Sequence, residues 1–206
     1  MRFKIYIVLS LFIFLFACQN NKAGKSENTK SDKSVVKSTE YTTKTGKKFI
    51  IHIDHSIGAS ICEVKIETKG FVESNAVYNL GKIDPVEEVI FTDADNNGFE
   101  EIYLFTRSAG SSSYGNIYGV GSNKNKRATP VYVRAITEKQ METGGLFEGF
   151  RGHNKFSVKE GKLINTFPVY FDGDSNAKPT GDKTQILYSL IAGEAGWILE
   201  PTQIIQ

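Results

Sequence analysis

Beyond residue 48 the chain alternates apolar and polar side chains with a period of two, broken at short intervals by Gly, Asn, Asp and Pro. Phe49-Ile50-Ile51-His52-Ile53, Ile61-Cys62-Glu63-Val64-Lys65-Ile66, Ala76-Val77-Tyr78-Asn79-Leu80, Glu101-Ile102-Tyr103-Leu104-Phe105 and Pro130-Val131-Tyr132-Val133 are β-branched or aromatic runs of this kind. Such runs, bounded by turn formers, predict strands. Residues 156–159 and 162–164 flank Glu160-Gly161 and predict a hairpin, and 185–191 and 197–199 supply two more strands. Only 138–143 has a helical character, and Gly144-Gly145 stops it. Eight to ten short strands at this spacing, with no internal repeat, predict an all-β domain, an antiparallel β-sandwich or a flattened barrel.

The alternation fails at the N-terminus. Arg2 and Lys4 precede an apolar run from 5 to 16 that is shorter than the ~20 residues a membrane span needs. This is the layout of a secretory signal. It ends in Leu15-Phe16-Ala17-Cys18, which resembles the lipobox of bacterial lipoproteins. That resemblance makes 1–17 a signal peptide and Cys18 the acylated first residue of a lipid-anchored envelope protein. Gln19 after Cys18 points to the outer membrane, with the domain in the periplasm or at the cell surface. Residues 18–48 are rich in Lys, Ser, Thr and Asn, too polar to offset their ordering entropy, and predict a disordered tether. The domain is then 49–206, about 158 residues, enough for one core.

Charge separates these two parts. The chain has a net charge of +2, but residues 49–206 hold fifteen Lys and Arg against twenty Asp and Glu. The folded part is therefore acidic, which argues against a nucleic-acid partner. With Cys18 acylated, Cys62 has no intrachain disulfide partner and reads as a small buried apolar side chain.

Two stretches carry candidate chemistry. Asp93-Ala94-Asp95-Asn96-Asn97-Gly98-Phe99-Glu100-Glu101 places oxygen ligands at positions one, three, five and nine, with Gly at six. That is the opening of a calcium loop, with Asp93, Asp95, Asn97 and Glu101 as ligands, although position twelve is Leu104. An Asx-rich turn between strands is the alternative. If an ion binds, it is expected to stiffen the base of the following loop. That loop is Ser108-Ala109-Gly110-Ser111-Ser112-Ser113-Tyr114-Gly115, longer than a hairpin turn requires and holding a single aromatic ring. Catalytic readings are poorly supported. The Ser111–Ser113 run lacks the G-x-S-x-G context, and His52, His55 and His153 form no convergent zinc set.

The segment FTDADNNGFEEIYLFTRSAGSSSYGNIYGVGSNKNKRATPVYV, from 91 to 133, resembles the central part of the periplasmic inhibitors of invertebrate-type lysozyme. GLFEGFRGHNKFSV and NTFPVYFDGDSNAKPTGDKTQILYSL resemble that family's C-terminal half. The resemblance implies an all-β, non-enzymatic protein that binds a lysozyme through a loop of the form S-G-S-Y. The matching positions are Ser111, Ser112, Ser113 and Tyr114, with Ser112 where the family has Gly. Arg107, Lys124, Lys126 and Arg127 are candidates for the rim of the contact, or for a solvated face. Two other functions stay open. One is a calcium-stabilised, non-catalytic module that binds glycan or an envelope protein; the other, less favoured, is an envelope hydrolase.

Overall fold

The computed structural model describes residues 36–205. The signal segment, Cys18 and the first part of the tether lie outside the described residues. The described chain is almost entirely β. In order, the strands are β1 (Val36–Thr42), β2 (Lys48–Asp54), β3 (Cys62–Lys69), β4 (Val77–Ile83), β5 (Val86–Thr92), β6 (Glu101–Arg107), β7 (Gly115–Asn123) and β8 (Arg127–Val133). One helical turn, α1 (Glu138–Met141), is followed by β9 (Lys155–Lys159), β10 (Lys162–Pro168), β11 (Lys183–Ala192) and β12 (Trp197–Ile204).

Three expectations are corrected here. The described residues form twelve strands, more than the eight to ten expected. The folded part does not begin at Phe49, because β1, from Val36, lies inside the stretch read as tether and pairs with β2 along its whole length. β1 is a polar edge strand that draws its order from backbone hydrogen bonds, which leave no mark in side-chain composition. Third, the pairing is not purely antiparallel: β12 runs parallel to β8 through Trp197↔Val131, Ile198↔Tyr132 and Leu199↔Val133.

β1-β2-β3-β4 form one antiparallel sheet, and β5-β6-β7-β8-β12-β11-β10-β9 form a second that curls into a nearly closed, barrel-like sheet. Its edges, β5 and β9, do not pair; near the gap Thr92 Oγ1 at the end of β5 donates to Gly161 O in the β9–β10 turn at 2.9 Å, and Arg107 Nη1 at the end of β6 donates to Asn154 O just before β9 at 3.2 Å. The four-stranded sheet packs on the outside of this curl. Phe49, Ile51, Val64 and Ile66 meet Ile102, Leu104 and Val120 between the sheets. The barrel interior holds Tyr103, Phe105, Ile117, Phe147, Phe167, Ile186 and Leu199.

β6 is thus a middle layer. Ile102 and Leu104 face the first sheet while Tyr103 and Phe105 face the interior, so the strand is buried on both sides. Gly119 and Gly121 on β7 are required by this packing. A Cβ at Gly119 would lie 2.8 Å from the Tyr103 ring, and one at Gly121 would lie 2.4 Å from the Trp197 ring.

The predicted helix is present as a single turn. Thr137 caps it, its hydroxyl accepting from Gln140 N–H while the Gln140 side chain accepts from Thr137 N–H. The segment after it closes one end of the barrel. Phe147 stacks on Phe167 at 5.6 Å, and Phe150 meets Phe167 edge-on at 5.0 Å.

A fragment cut at Phe49 loses β1 and the half-buried contact of Tyr41 with Phe91, 5.6 Å between ring centroids. Relative to a fragment beginning at Ser34 it is expected to lose about 2 kcal/mol, read as a Tm lower by roughly 4–8 °C in thermal unfolding. Equal midpoints would make β1 a passive edge.

Candidate functional site

β6 and β7 are joined at the end of the barrel plugged by Phe147 and Phe150, and their connection is the Ser108–Tyr114 loop. The loop is ordered by hydrogen bonds at every level. At its base Ser108 N–H donates to Tyr114 O and Tyr114 N–H donates to Ser108 Oγ, both at 2.8 Å. At its tip Ser113 N–H donates to Gly110 O at 2.9 Å, making a β-turn centred on Ser111 and Ser112. Neither central serine takes a positive φ. The backbone here has no need of glycine at 112, and Ser112 fits the turn as it stands. The left-handed residue is Ser113, at φ 42°. It is held there by Arg107, whose Nη1 donates to Ser113 O at 3.0 Å while its Nε pairs with Glu87 at 2.7 Å.

A second segment clamps the loop from the side. His153 N–H donates to Ser112 O at 2.7 Å. Gly152, at φ 101°, makes that approach possible, since a Cβ there would fall 2.3 Å from Ser112 O. Asn154 is buried beneath the loop. Its Oδ1 accepts from Gly115 N–H, and its Nδ2 donates to Gly115 O and to Asn165 Oδ1, each at 2.9 Å. One side chain thereby stands in for a neighbouring strand at the start of β7.

This scaffold presents Tyr114 outward. The residue is 43% exposed, and one edge of its ring rests on Phe150 at 5.8 Å. Ser111 is exposed, and Ser112 and Ser113 are partly covered. Among the described residues no hydrogen bond engages the Ser111 or Tyr114 hydroxyl. Beside Tyr114 opens a cavity of about 390 Å³, lined by Ile117, Phe150, Phe156 and Tyr188 with the amides of Asn154 and Asn165. Burial pushes the Tyr188 phenol up to about 12, so it remains neutral. The eight residues from Ser108 to Gly115 carry no charge.

The basic residues do not assemble around the loop. Arg107 is consumed in holding its base, and Lys124, Lys126 and Arg127 sit at the β7–β8 turn, the opposite end of β7. The supporting residues Gly152, His153, Asn154 and Phe150 all fall in the GLFEGFRGHNKFSV stretch. Their role there was invisible in the sequence, because it depends on contacts across the mouth of the barrel.

The acidic motif lies at the other end of β6, in the β5–β6 turn. Asp93, Asp95 and Glu101 each place one carboxylate oxygen within 4.8 Å of the other two. Asn97 Oδ1 accepts from Phe99 N–H and its Nδ2 donates to Asp95 Oδ2, so Asn97 takes part in shaping the turn. Burial, with Asp95 and Asp93 nearby, pushes the Glu101 carboxyl up to about 8. β6 separates the motif from the serine loop by its full length, so the motif does not form that loop's base.

Cys62 is fully buried between the sheets, with Sγ 3.5 Å from Asp84 O, and burial pushes its thiol up. A thiol so placed is an inert packing group. His52 lies on β2 against Ser38, far in the fold from His153 at the barrel mouth. No protein-family model, no curated protein and no solved structure matches the chain.

Proposed function

We propose that this protein is an inhibitor of lysozyme, of the invertebrate type, and that it acts by inserting the Ser111–Tyr114 loop into the enzyme's cleft. The observation that carries the reading is an exposed tyrosine at the head of a loop whose backbone is fixed by hydrogen bonds while its outward hydroxyls have no internal partner. The resemblance of residues 91–133 to the lysozyme-inhibitor family supplies the target, and the all-β fold agrees with it.

The chemistry of the target explains why such a loop suffices. A lysozyme cleaves with one protonated carboxylic acid and one ionised carboxylate across the sugar ring. A neutral tip with free hydroxyls donates to the carboxylate and exchanges a hydrogen bond with the acid, and it brings no negative charge toward them. A hydrogen bond to a charged group contributes about 1.5–3 kcal/mol. The Tyr114 ring fills space a sugar would occupy. Because the loop is already ordered, docking loses little conformational entropy, and a small tip can bind tightly. On this reading the protein is not an enzyme, and with Cys18 acylated it guards peptidoglycan from a membrane-tethered position.

The test is inhibition of purified lysozymes by the protein. Invertebrate-type enzyme is expected to be inhibited at stoichiometric ratios, with animal c-type and g-type enzymes spared by at least tenfold. No inhibition of any of the three would remove the reading.

A further inference from the structure

We propose that Asp93, Asp95 and Glu101 form a divalent-cation site that takes Ca²⁺ and fastens the β5–β6 turn to the barrel. Their converging oxygens, all within 4.8 Å of one another, match the spacing of ligands around an ion bound at about 2.3–2.6 Å. Three acids at a turn would mean little if all were solvated. Glu101 is not: it is 0% exposed, and it lies on the interior-facing side of β6 with Tyr103 and Phe105. Its Oε2 accepts from Ala94 N–H at 2.9 Å, while its Oε1, equally buried, has no hydrogen-bond partner among the described residues. The Tyr103 hydroxyl, two residues further along the same face, is also buried and unpartnered.

A buried carboxyl oxygen without a hydrogen-bond partner is unfavourable in either protonation state, and among the described residues no Lys, Arg or His forms an ion pair with Glu101. A cation held jointly with Asp93 and Asp95 removes that cost. The turn is built to aim the other two carboxylates. Asp93 Oδ1 and Oδ2 accept from Asn97 and Gly98 N–H at 2.9 and 2.8 Å, and Asp95 Oδ1 accepts from Asn97 N–H at 3.2 Å. The donor set is all oxygen and anionic, which selects a hard cation, and its irregular arrangement suits calcium better than the strict octahedron of magnesium. Backbone carbonyls and water complete the shell.

The site ties down more than one turn. Thr92, just before Asp93, donates to Gly161 O in the β9–β10 turn, and Glu100, just before Glu101, accepts from Lys44 N–H at 2.7 Å in the β1–β2 turn. Calcium therefore acts on the stability of the barrel's far end. The serine loop is about 20 Å away along β6 at the usual rise per residue. The inference stands independently of the inhibitor reading.

The test uses the full chain in detergent, stripped with a chelator, followed by thermal unfolding and Tb³⁺ luminescence. At about a hundredfold excess over its Kd, Ca²⁺ is expected to raise Tm by roughly 5–10 °C, and Mg²⁺ by less. Tb³⁺ emission sensitised by tyrosine is expected to be displaced by Ca²⁺. Asp95→Asn, on the partly exposed turn, should weaken binding at least tenfold with the fold intact. Glu101→Gln should abolish the calcium shift while leaving the calcium-free protein as stable as the parent or more so. A parent protein whose Tm ignores Ca²⁺ and which shows no displaceable Tb³⁺ emission overturns the site. So does a Glu101→Gln variant that keeps the full shift.

Discussion

Tyr114→Ala is expected to weaken lysozyme inhibition by about 30- to 1000-fold, the range for truncating a central aromatic anchor of roughly 2–4 kcal/mol. The fold should barely register the change. Tyr114 is 43% exposed, and its one aromatic partner among the described residues is Phe150, in an edge-to-face pair. Losing that contact costs about 1 kcal/mol, so Tm should fall by only a few degrees. Tyr114→Phe separates the two contributions. If the hydroxyl meets a catalytic carboxylate, its loss alone should weaken inhibition about 10- to 100-fold, because bonds to charged groups are the strong ones. Inhibition constants measured for both variants against invertebrate-type lysozyme decide the matter. An alanine variant that inhibits as well as the parent would show that another surface makes the contact.

Asn154→Ala should have the largest effect on stability, about 3–5 kcal/mol. The side chain is buried and makes three hydrogen bonds, to Gly115 N–H, Gly115 O and Asn165 Oδ1. Removing it strands all three partners in the interior, at roughly 1–3 kcal/mol for each group left unsatisfied. Gly115 leaves little room for compensation, since a Cβ at that position would lie 2.6 Å from Asn154 O. The same substitution frees the base of the loop. Inhibition should therefore weaken even at temperatures where the variant stays folded, through the entropy of reordering the loop. Urea unfolding with parallel inhibition assays at low temperature checks both. Loss of stability with full inhibitory potency would mean that Asn154 supports the barrel only.

The class of the fold was legible because most strands carry one apolar face and end at turn formers. β6 was legible for a different reason. Sandwiched between two cores, it reads as a continuous apolar run. β1 was not legible. It keeps one face in solvent and gives the core little beyond Tyr41, so its composition matches that of a tether. The acidic motif showed its oxygens in the sequence, but the spacing could not say which of them the fold buries and which it ties into the turn. Asn97 Oδ1 accepts from the turn's own backbone at Phe99, and Glu101 is buried on the interior-facing side of β6.

What the sequence determined by itself was local: period-two strands, the Glu160-Gly161 hairpin, a short helical stretch at 138–143, and a serine-glycine loop with one tyrosine between two strands. These follow from backbone preference and side-chain alternation, which act over a few residues. The tertiary structure alone decided the parallel β8–β12 pair, the packing of one sheet on the outside of a curled second sheet, and the rigidity of the loop. Each depends on residues distant in the chain meeting in space. Asn154 is 39 positions from Gly115, yet it supplies the hydrogen bonds that a neighbouring strand would otherwise give. Such long-range pairings leave no periodic trace, because a single buried amide or a glycine at a close approach is chosen for what lies opposite it in the fold.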